Sequence, residues 1–537
     1  SSNVDSHTYI LLNTENVGSD GMDAGRVNAT FLQQRQPRGW GNLTSGDYEM
    51  DTDISQSTSP SSGHPGLSVA QAMLQGMRDI PTVAVSMSRA DFSGGNGIYT
   101  NSQSKGFAWE RDCAAEFIPA EEDWRRDWGE NCGIRVQGGA SRNPSASPKH
   151  SLSFRFRDEY GKGRLRADLF EDSPIDSYNV LVLRAGYNNS WIHRDSGQRG
   201  RGSMIRDQWV RESLYEMGHE DAGRGIMVHL FVNGLYWGVH NLCERQDAAH
   251  YATYNGGDED LLDARNGSEY IDGNATAWNA MRSVVSSRDW EEIQQVLDVD
   301  TYIDYQIINR FGANSDLKSN GNWRAAGGGP FRGGRPEGMM PWKVFSWDAE
   351  RTLESPSATN QPLDPLGIRN TMDGLDEYRL RFADRIQKHF YFDGALTPEA
   401  CEQRWMKFAS SLDRAIIAES ARWGDHRRGT PYSREGEWLP EQARLRSSYF
   451  PVRNRNVFGR YRSSGFYPSV PAPNFVINGV PRRGGVVPSG RPLTVTASAT
   501  VYYTLDGSDP RLVGGAVNPE AISVGAGGTI SLPSSGL

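Results

Sequence analysis

The sequence is organised around residues 303–352, which read IDYQIINRFGANSDLKSNGNWRAAGGGPFRGGRPEGMMPWKVFSWDAERT. An apolar segment leads into Asp316, and a polar run continues as far as Asn322. A Gly- and Arg-rich excursion then returns to a strand-like run, residues 342–347, followed directly by Asp348. Carboxylate and amide oxygens at neighbouring strand and loop ends suit Mg²⁺, which takes few protein ligands and keeps its other positions for water and phosphate. Clusters of Asp, Asn and Gly are also common in solvated turns, so the pattern alone leaves both interpretations open.

Length and composition indicate a globular protein with several domains. A chain of 537 residues is too long for one core, and two to four domains are expected. The net charge of −9 is mild, so it indicates neither nucleic-acid nor membrane-surface binding. No apolar run is long enough to predict a membrane span. The sequence opens at Ser1 without a signal peptide, which favours a processed or trimmed protein over an intact cytoplasmic one.

The cysteines and lysines are few, and their positions are informative. Four cysteines form neither a disulfide framework nor a zinc-binding spacing. Cys113 and Cys132 could form a disulfide if their segments are neighbouring strands, or they could be two buried thiols. Seven lysines stand against fifty arginines, so a retained lysine points to a need for a compact ammonium group. Lys149, Lys318 and Lys343 are among the seven.

Hydrophobic patterning divides the chain into four regions and predicts an α+β fold. Residues 1–79 are polar and turn-rich, which indicates an arm or lid lying on the main domain. Residues 80–245 are patterned as strands, and residues 246–466 are mainly helical around the central stretch. After a proline-rich boundary, residues 471–537 are typical of a small β-sandwich that the chain end cuts short.

The individual elements follow from local periodicity and turn residues. In residues 80–245, strands are predicted at 81–86, 97–100, 114–118, 133–137, 148–157 and 179–184, with a helix at 203–218. Residues 229–241 are typical of a hairpin with a type I′ turn at Asn233-Gly234. Further helices are predicted at 68–78, 286–297, 300–313, 374–391, 397–422 and 438–464. Short strands are expected at 9–12, 493–497 and from Val501.

Blocks of sequence between residues 80 and 465 occur in the order seen in one protein family. They are WERDCAAEF (109–117), GIRVQGGASR (133–142), PKHSLSFRFRDEYG (148–161), VLVLRAGYNNSW (180–191), MIRDQWVRE (204–212), HLFVNGLYWGVHNLCER (229–245), DVDTYIDYQIINRFGANSD (298–316) and FSWDAERTL (345–353). With these blocks the chain resembles the CotH kinase family, the spore coat protein H type of atypical protein kinase, in its large secreted bacterial form. The tail motif YYTLDGSDPR (502–511) is similar to the chitobiase-type β-sandwich that follows many secreted glycosidases.

The resemblance implies a two-lobed kinase-like fold, with a β-rich N-lobe and a helical C-lobe. Such a protein transfers the γ-phosphoryl group of ATP to Ser or Thr with Mg²⁺, Mn²⁺ or Ca²⁺. Asp316 then accepts the proton of the substrate hydroxyl, and Lys318 offsets phosphate charge. Asp348 is the implied metal ligand, and the spacing leaves both Asn320 and Asn322 open as the second ligand.

The resemblance also implies a nucleotide-binding side in the β-rich region. Lys149 matches the lysine that holds the phosphates, and the backbone amides of Gly138 and Gly139 would cover them. The acidic partner of Lys149 is expected on the helix 203–218, where Glu212 stands as the candidate beside Asp207 and Glu216. The family usually has W-D-L-D or W-D-x-N after the strand, whereas this chain has Trp347-Asp348-Ala349-Glu350, which puts the metal preference in question.

Three functions compete at this point. The first is an active protein kinase, secreted or at a bacterial cell surface, that acts on a protein substrate. The second is a catalytically silent pseudokinase that is a structural or binding component of an extracellular assembly, since ATP is scarce outside cells. Carbohydrate binding or hydrolysis rests only on the tail and on the many tryptophans, without a pair of acids to assign. Membrane-spanning and nucleic-acid-binding functions are not expected, and the oligomeric state stays open.

Overall fold

The computed structural model describes residues 50–120, 127–317, 321–329, 338–359, 364–477, 479–482, 487 and 493–530. Most of the predicted N-terminal arm, including the strand at 9–12, therefore lies outside the described residues. So do Lys318 and Asn320.

Strands dominate the part of the chain before residue 245, as the periodicity predicts. They are β1 (Thr82–Ser86), β2 (Arg111–Ile118), β3 (Trp128–Gln137), β4 (Ser151–Arg155), β5 (Leu165–Arg166), β6 (Ser177–Tyr178), β7 (Val180–Arg184), β8 (Gly225–Val232) and β9 (Leu235–Glu244). Seven of them close into a barrel in the order β1-β2-β3-β4-β7-β9-β8. All neighbours in the barrel are antiparallel except β1 and β8, which pair in parallel. Alternate residues such as Ile134, Phe154 and Leu183 fill its interior.

The predicted hairpin and cysteine positions are found in this barrel. β8 and β9 form the hairpin, and Asn233 and Gly234 have φ angles of 49° and 80°, as a type I′ turn requires. Cys113 and Cys132 lie directly opposite each other on β2 and β3, which confirms that their segments are neighbouring strands. Their sulfur atoms are 3.5 Å apart, and both thiols are free and buried.

Helices surround the barrel and build the second half of the chain. They are α1 (Thr52–Ser55), α2 (Val69–Gly76), α3 (Arg89–Ser93), α4 (Ser196–Arg199), α5 (Arg206–Glu216), α6 (Ala248–Asn255), α7 (Thr276–Ser287), α8 (Trp290–Val296), α9 (Val299–Gly312), α10 (Arg369–Asp373), α11 (Asp376–Phe390), α12 (Pro398–Trp423), α13 (Leu439–Arg444) and α14 (Phe450–Ser463). The longest, α12, begins with Thr397 as N-cap and a proline at its first position, as the sequence predicts. Its last residue, Trp423, belongs to the barrel core.

A second sheet carries the central stretch of sequence. Its strands are β10 (Asp263–Asn266), β11 (Glu269–Asp272), β12 (Trp323–Gly328) and β13 (Met340–Ser346), paired antiparallel in the order β11-β10-β12-β13. Directly after β13, the Trp347 ring packs against Val180, Val182 and Cys243 of the barrel. The sheet therefore joins residues 321–348 to the outer face of the barrel. Only β13 was predicted; the hairpin of β10 and β11 was missed.

The β-rich tail folds into two small sheets. Its strands are β14 (Asn474–Ile477), β15 (Val480–Arg482), β16 (Leu493–Thr496), β17 (Val501–Tyr503), β18 (Ile522–Val524) and β19 (Thr529–Ile530). One sheet has the order β15-β14-β16-β19, and the other pairs β17 with β18. Strands are thus present where the tail pattern predicts them.

Helices and several sheets together confirm the α+β class, whereas two local predictions are wrong. Residues 97–100 form turns because Ile98 and Tyr99 donate backbone hydrogen bonds to α3, and no strand in the described part of the chain pairs with them. The predicted helix 286–297 is divided, because α7 ends at a left-handed Arg288 and α8 starts with Asp289 as N-cap. None of the helices in the described parts of the chain has the length and apolar character needed to cross a membrane.

Candidate active site

Asp348 lies in a strained turn directly after β13. Its φ of 57° is in the left-handed region, which a residue with a side chain adopts only when its surroundings hold it there. Its side chain is 39% exposed, and Oδ1 accepts a hydrogen bond of 2.5 Å from Nη2 of Arg184. The turn therefore presents one carboxylate to solvent and ties it to the barrel through an arginine.

Arg184, the last residue of β7, connects three carboxylates. Its guanidinium contacts Asp207 at 3.1 Å and Glu350 at 2.9 Å, in addition to Asp348, and lies 4.5 Å from the centre of the Trp347 ring. Burial alone would lower the pKa of Arg184, but these three carboxylates raise it well above its ordinary value. Arg184 is therefore a permanent cation at the centre of an acidic cluster.

The three acids around Arg184 differ in their surroundings. Burial raises the pKa of Glu350 to about 7; Arg184 opposes this rise, and Asp348 and Asp207 add to it. Oε2 of Glu350 accepts a hydrogen bond from the backbone N–H of Asn188. Burial also disfavours the charged form of Asp207, but Arg184 and Arg211 outweigh it and lower the pKa. Glu350 is thus the member of the cluster that exchanges a proton near neutral pH.

Asp316 follows α9 and lies on a segment that runs beside the Asp348 turn. The backbone N–H of Ser315 donates to the carbonyl of Arg351 at 2.9 Å, and that of Leu353 donates to the carbonyl of Gly312 at 2.7 Å. Nδ2 of Asn322 donates to the carbonyl of Asp316 at 2.6 Å and closes the polar loop. Asp316, Asn322 and Asp348 therefore lie on backbone segments joined by hydrogen bonds.

Lys149 has an acidic partner, but on a different helix from the one predicted. Its Nζ donates to Glu419 of α12 and to the carbonyl of Val239, both at 2.6 Å, and both charged side chains are fully buried. Glu212 of α5 instead contacts Arg224 at 3.2 Å and Lys407 at 3.6 Å. The pairing of Lys149 with α5 is therefore wrong, because the Lys149 ammonium lies between β9 and α12.

The two glycines of the predicted phosphate turn follow β3. Gly138 has a φ of 120°, and a Cβ there would come within 2.6 Å of the Ser141 hydroxyl, so glycine is needed at this position. Gly138 also lines a pocket of about 160 Å³ whose other lining residues include five arginines and one lysine. Gly139 leads into a 3₁₀ turn, Ala140–Arg142.

Sequence reasoning missed several residues of this site. Arg184 could have been noticed as the one charged residue that ends the apolar strand VLVLR. Glu419 is an acid within the apolar run AIIAESARW of a long helix, a pattern that indicates a buried partner for a cation. Among the residues that the structure describes, no cluster of three or more His, Cys, Asp and Glu side chains is arranged to hold a metal ion.

Comparison with known proteins gives one family match. The model of the CotH kinase protein family matches residues 268–450. This range contains Asp316, Asn322, Asp348 and Glu419, whereas the barrel strands lie before it. No curated protein matches the chain. The match thus covers the central stretch and the helices α7 to α13, and the chain is similar to this family over that range.

Proposed function

We propose that the protein is a secreted or cell-surface atypical protein kinase that transfers the γ-phosphoryl group of ATP to Ser or Thr of a surface or coat protein. The observation that carries the proposal is the joining of the Asp316 and Asp348 segments by backbone hydrogen bonds, inside the range similar to a kinase family. Phosphoryl transfer needs mainly positioning and charge neutralisation, which two carboxylates and an amide on adjoining segments can supply.

The donor atoms available at the site suit a divalent cation. Asp348 is the most exposed acid around Arg184, and in the described part of the chain its Oδ2 makes no hydrogen bond. The carbonyl oxygen of the Asn322 amide and the Asp316 carboxylate complete an oxygen-only donor set, which matches Mg²⁺ and also accommodates Mn²⁺ or Ca²⁺. Such a cation, when bound, would neutralise the charge on the phosphates.

Each residue then has a separate role. Asp316 accepts the proton of the attacking hydroxyl, and Asp348 and Asn322 would hold a divalent cation that neutralises phosphate charge. Lys318 and Asn320, which lie outside the described residues, are proposed to offset phosphate charge and to assist Asn322. Lys149 is proposed as a positioning residue, since its ammonium has no exposed surface and is held by Glu419.

The second candidate is a pseudokinase that acts as a component of an extracellular assembly. The observation that favours it is the ion pair between Arg184 and Asp348, because an arginine already neutralises the carboxylate that would bind the metal. A cation would have to share Asp348 with Arg184, which weakens its binding. A scaffold that binds neither metal nor nucleotide would keep this ion pair permanently.

Two substitutions test the proposal because they separate binding from chemistry. Asp348→Ala should abolish Mg²⁺-dependent ATP binding, since it removes a charged ligand from an ion that has few protein ligands. Asp316→Asn should largely retain binding but lower phosphoryl transfer by on the order of 10²–10⁴, the usual contribution of a positioned base. Binding is measured by calorimetry, and transfer by mass spectrometry of the protein and of a Ser-rich peptide.

Asp376→Asn, a change at an exposed aspartate in the first turn of α11, is the control and should alter neither quantity. A parent protein that binds no nucleotide with Mg²⁺, Mn²⁺ or Ca²⁺ would exclude the kinase and favour the scaffold. Binding without transfer, unchanged by Asp316→Asn, would identify a nucleotide-gated scaffold.

A further inference from the structure

A strongly basic pocket of about 160 Å³ lies where the barrel meets the second sheet. Arg135 and Arg155 enter it from β3 and β4, Arg245 follows β9, and Arg324 lies on β12. Arg142, Lys105 and Gly138 also line it, and Glu269 is the only acidic side chain among the described lining residues. We name this the arginine pocket.

The carboxylates near the arginine pocket do not balance its arginines. Arg135 forms an ion pair with Glu110, and Arg245 forms one of 3.1 Å with Asp247. In the described ranges of the chain, neither Arg155 nor Arg324 has a carboxylate within ion-pair distance. Arg142 likewise lacks one and donates to the backbone carbonyls of residues 102 and 104. The pocket therefore holds more cations than anions.

Donor atoms in the pocket also lack acceptors. Within the described residues, the buried Nε atoms of Arg155, Arg245 and Arg324 have no hydrogen-bond partner, whereas that of Arg135 lies against Glu110. Burial lowers the pKa of Arg155, and repulsion from Arg245 and Arg135 lowers it further; burial and Arg245 act in the same way on Arg324. A fold that holds like charges together with unused donors has the electrostatics of an anion-binding site. Planar guanidinium groups in particular match the oxygens of phosphate.

The position and size of the pocket define the ligand further. The Trp347 ring lies 4.0 Å from the guanidinium of Arg324 and 4.5 Å from that of Arg184, which binds Asp348. The Asp348 carboxylate is also close enough to act electrostatically on the Arg324 guanidinium. The volume of the pocket is below the roughly 300–1,000 Å³ of sites that enclose a whole small molecule. The pocket therefore suits phosphate groups, with the rest of a ligand remaining outside.

We propose that the arginine pocket binds the phosphate chain of the nucleoside triphosphate, with Arg155 and Arg324 as its principal contacts. This inference rests on the proposed kinase function and adds to it a phosphate site made of arginines instead of Lys149. For transfer, the terminal phosphoryl group of a triphosphate bound there would extend from the pocket towards the Asp348 turn.

The test is calorimetric titration of the full chain with ATP, inorganic triphosphate and O-phosphoserine. The parent protein should bind ATP and inorganic triphosphate, and each of Arg155→Gln and Arg324→Gln should weaken both by at least about tenfold, the usual effect of removing a charged hydrogen bond. Arg155→Lys keeps the charge but loses the planar guanidinium, so its affinity for triphosphate should lie between those of the parent protein and Arg155→Gln. The control Arg166→Gln changes an exposed arginine of β5 and should have no effect.

Several results would overturn the proposal. The first is a parent protein that does not bind triphosphate, and the second is binding of triphosphate by both Gln variants as tightly as by the parent protein. The third is tighter binding of O-phosphoserine than of triphosphate, which would assign the pocket to phosphorylated residues. Arg155 is partly exposed, so its variant remains informative if Arg324→Gln does not fold. Triphosphate binding that depends on Arg155, in a protein without phosphoryl transfer, would disprove the kinase and leave the pocket standing.

Discussion

At the scale of single residues, the buried ion pair of Lys149 and Glu419 is the interaction whose role, structural or nucleotide-binding, is most easily misassigned. Its two charges lie 270 positions apart in the sequence, and both are completely removed from water. Breaking such a pair leaves one buried charge without compensation, whereas replacing both partners costs much less. A nucleotide-binding lysine and a structural lysine therefore give different results on substitution.

Lys149→Met should lower the free energy of unfolding by about 3–5 kcal/mol, since it leaves the Glu419 carboxylate buried alone. Glu419→Gln should have a similar effect, and the double variant should lose clearly less than the sum of the two. Urea denaturation followed by circular dichroism measures all three. If Lys149→Met kept its stability and lost ATP binding, Lys149 would contact the nucleotide directly.

The carboxyl group of Glu350 predicts a dependence of stability on pH. Its pKa is about 7 in the folded protein and near 4.5 when exposed, so the folded state holds the extra proton between these values. The contribution of Glu350 to the free energy of unfolding should therefore fall by on the order of 3 kcal/mol as the pH rises from 4.5 to 7. Glu350→Gln removes this contribution, and the difference between the two stability curves isolates it.

Glu354→Gln is the control for this measurement. Burial would raise the pKa of Glu354, but hydrogen bonds and charge from Arg351 lower it, so its contribution is lost only as pH falls below about 4.5. The control curve should run parallel to that of the parent protein between pH 4.5 and 7. If the stability curve of Glu350→Gln also ran parallel to that of the parent protein over this pH range, Glu350 would not hold the extra proton.

Sequence reasoning reached those candidate residues whose signal is local. Asp316 and Asp348 stand out because each follows a hydrophobic run that predicts a helix or strand, and Asn322 stands out through its spacing from Asp316. Arg184 and Glu419 were not found, since their meaning depends on partners 164 and 270 positions away. The arginine pocket was not predicted for the same reason, because its lining residues come from two different sheets.

At the scale of elements, turn chemistry and alternation predicted most strands, but not how they close. The β8–β9 hairpin was identified because Asn-Gly between two apolar runs strongly favours one turn type. The parallel pairing of β1 with β8, which closes the barrel, joins segments separated by more than a hundred residues. No local pattern encodes such a contact, so the sequence indicated strands and not a barrel.

Two glycines of this hairpin give a matched pair of substitutions. Gly234→Ala should cost about 1 kcal/mol of stability, because φ is 80° and a new Cβ meets no atom of the described residues within 4 Å. Gly238 has a similar φ of 94°, but a Cβ there would lie 2.3 Å from Oε2 of Glu419. Gly238→Ala should therefore cost a further 1–3 kcal/mol or prevent folding. If thermal or urea unfolding showed the same loss of stability for both variants, Gly238 would not be in close contact with Glu419 of α12.

At the scale of the whole molecule, α12 connects the two halves of the chain. It packs against α2 and β9, places Trp423 in the barrel core and supplies Glu419 to Lys149. The central stretch is held from the other side, through Trp347 on the barrel and the Arg184 cluster. The sequence predicted the switch from strands to helices near residue 245, and the two-lobed kinase-like arrangement stays a prediction.

The tail offers the last prediction, because few interactions tie it to the rest of the protein. Arg511 contacts Asp384 at 2.6 Å, and the N–H of Gly514 donates to Glu377 at 2.8 Å. Both contacts join exposed groups to one face of α11, and exposed pairs of this kind contribute little stability. The candidate site, by contrast, is built from β7, α5 and residues 312–353, which the tail does not supply.

A chain that ends at Val470 should therefore unfold at nearly the same temperature as the full chain and bind ATP and triphosphate with the same affinity. Differential scanning calorimetry and isothermal titration measure the two quantities. Arg511→Ser in the full chain is the control, since it breaks the ion pair without removing the sheets. If truncation abolished binding while Arg511→Ser did not, the tail would complete the site, and the predicted independence of residues 471–537 would be wrong.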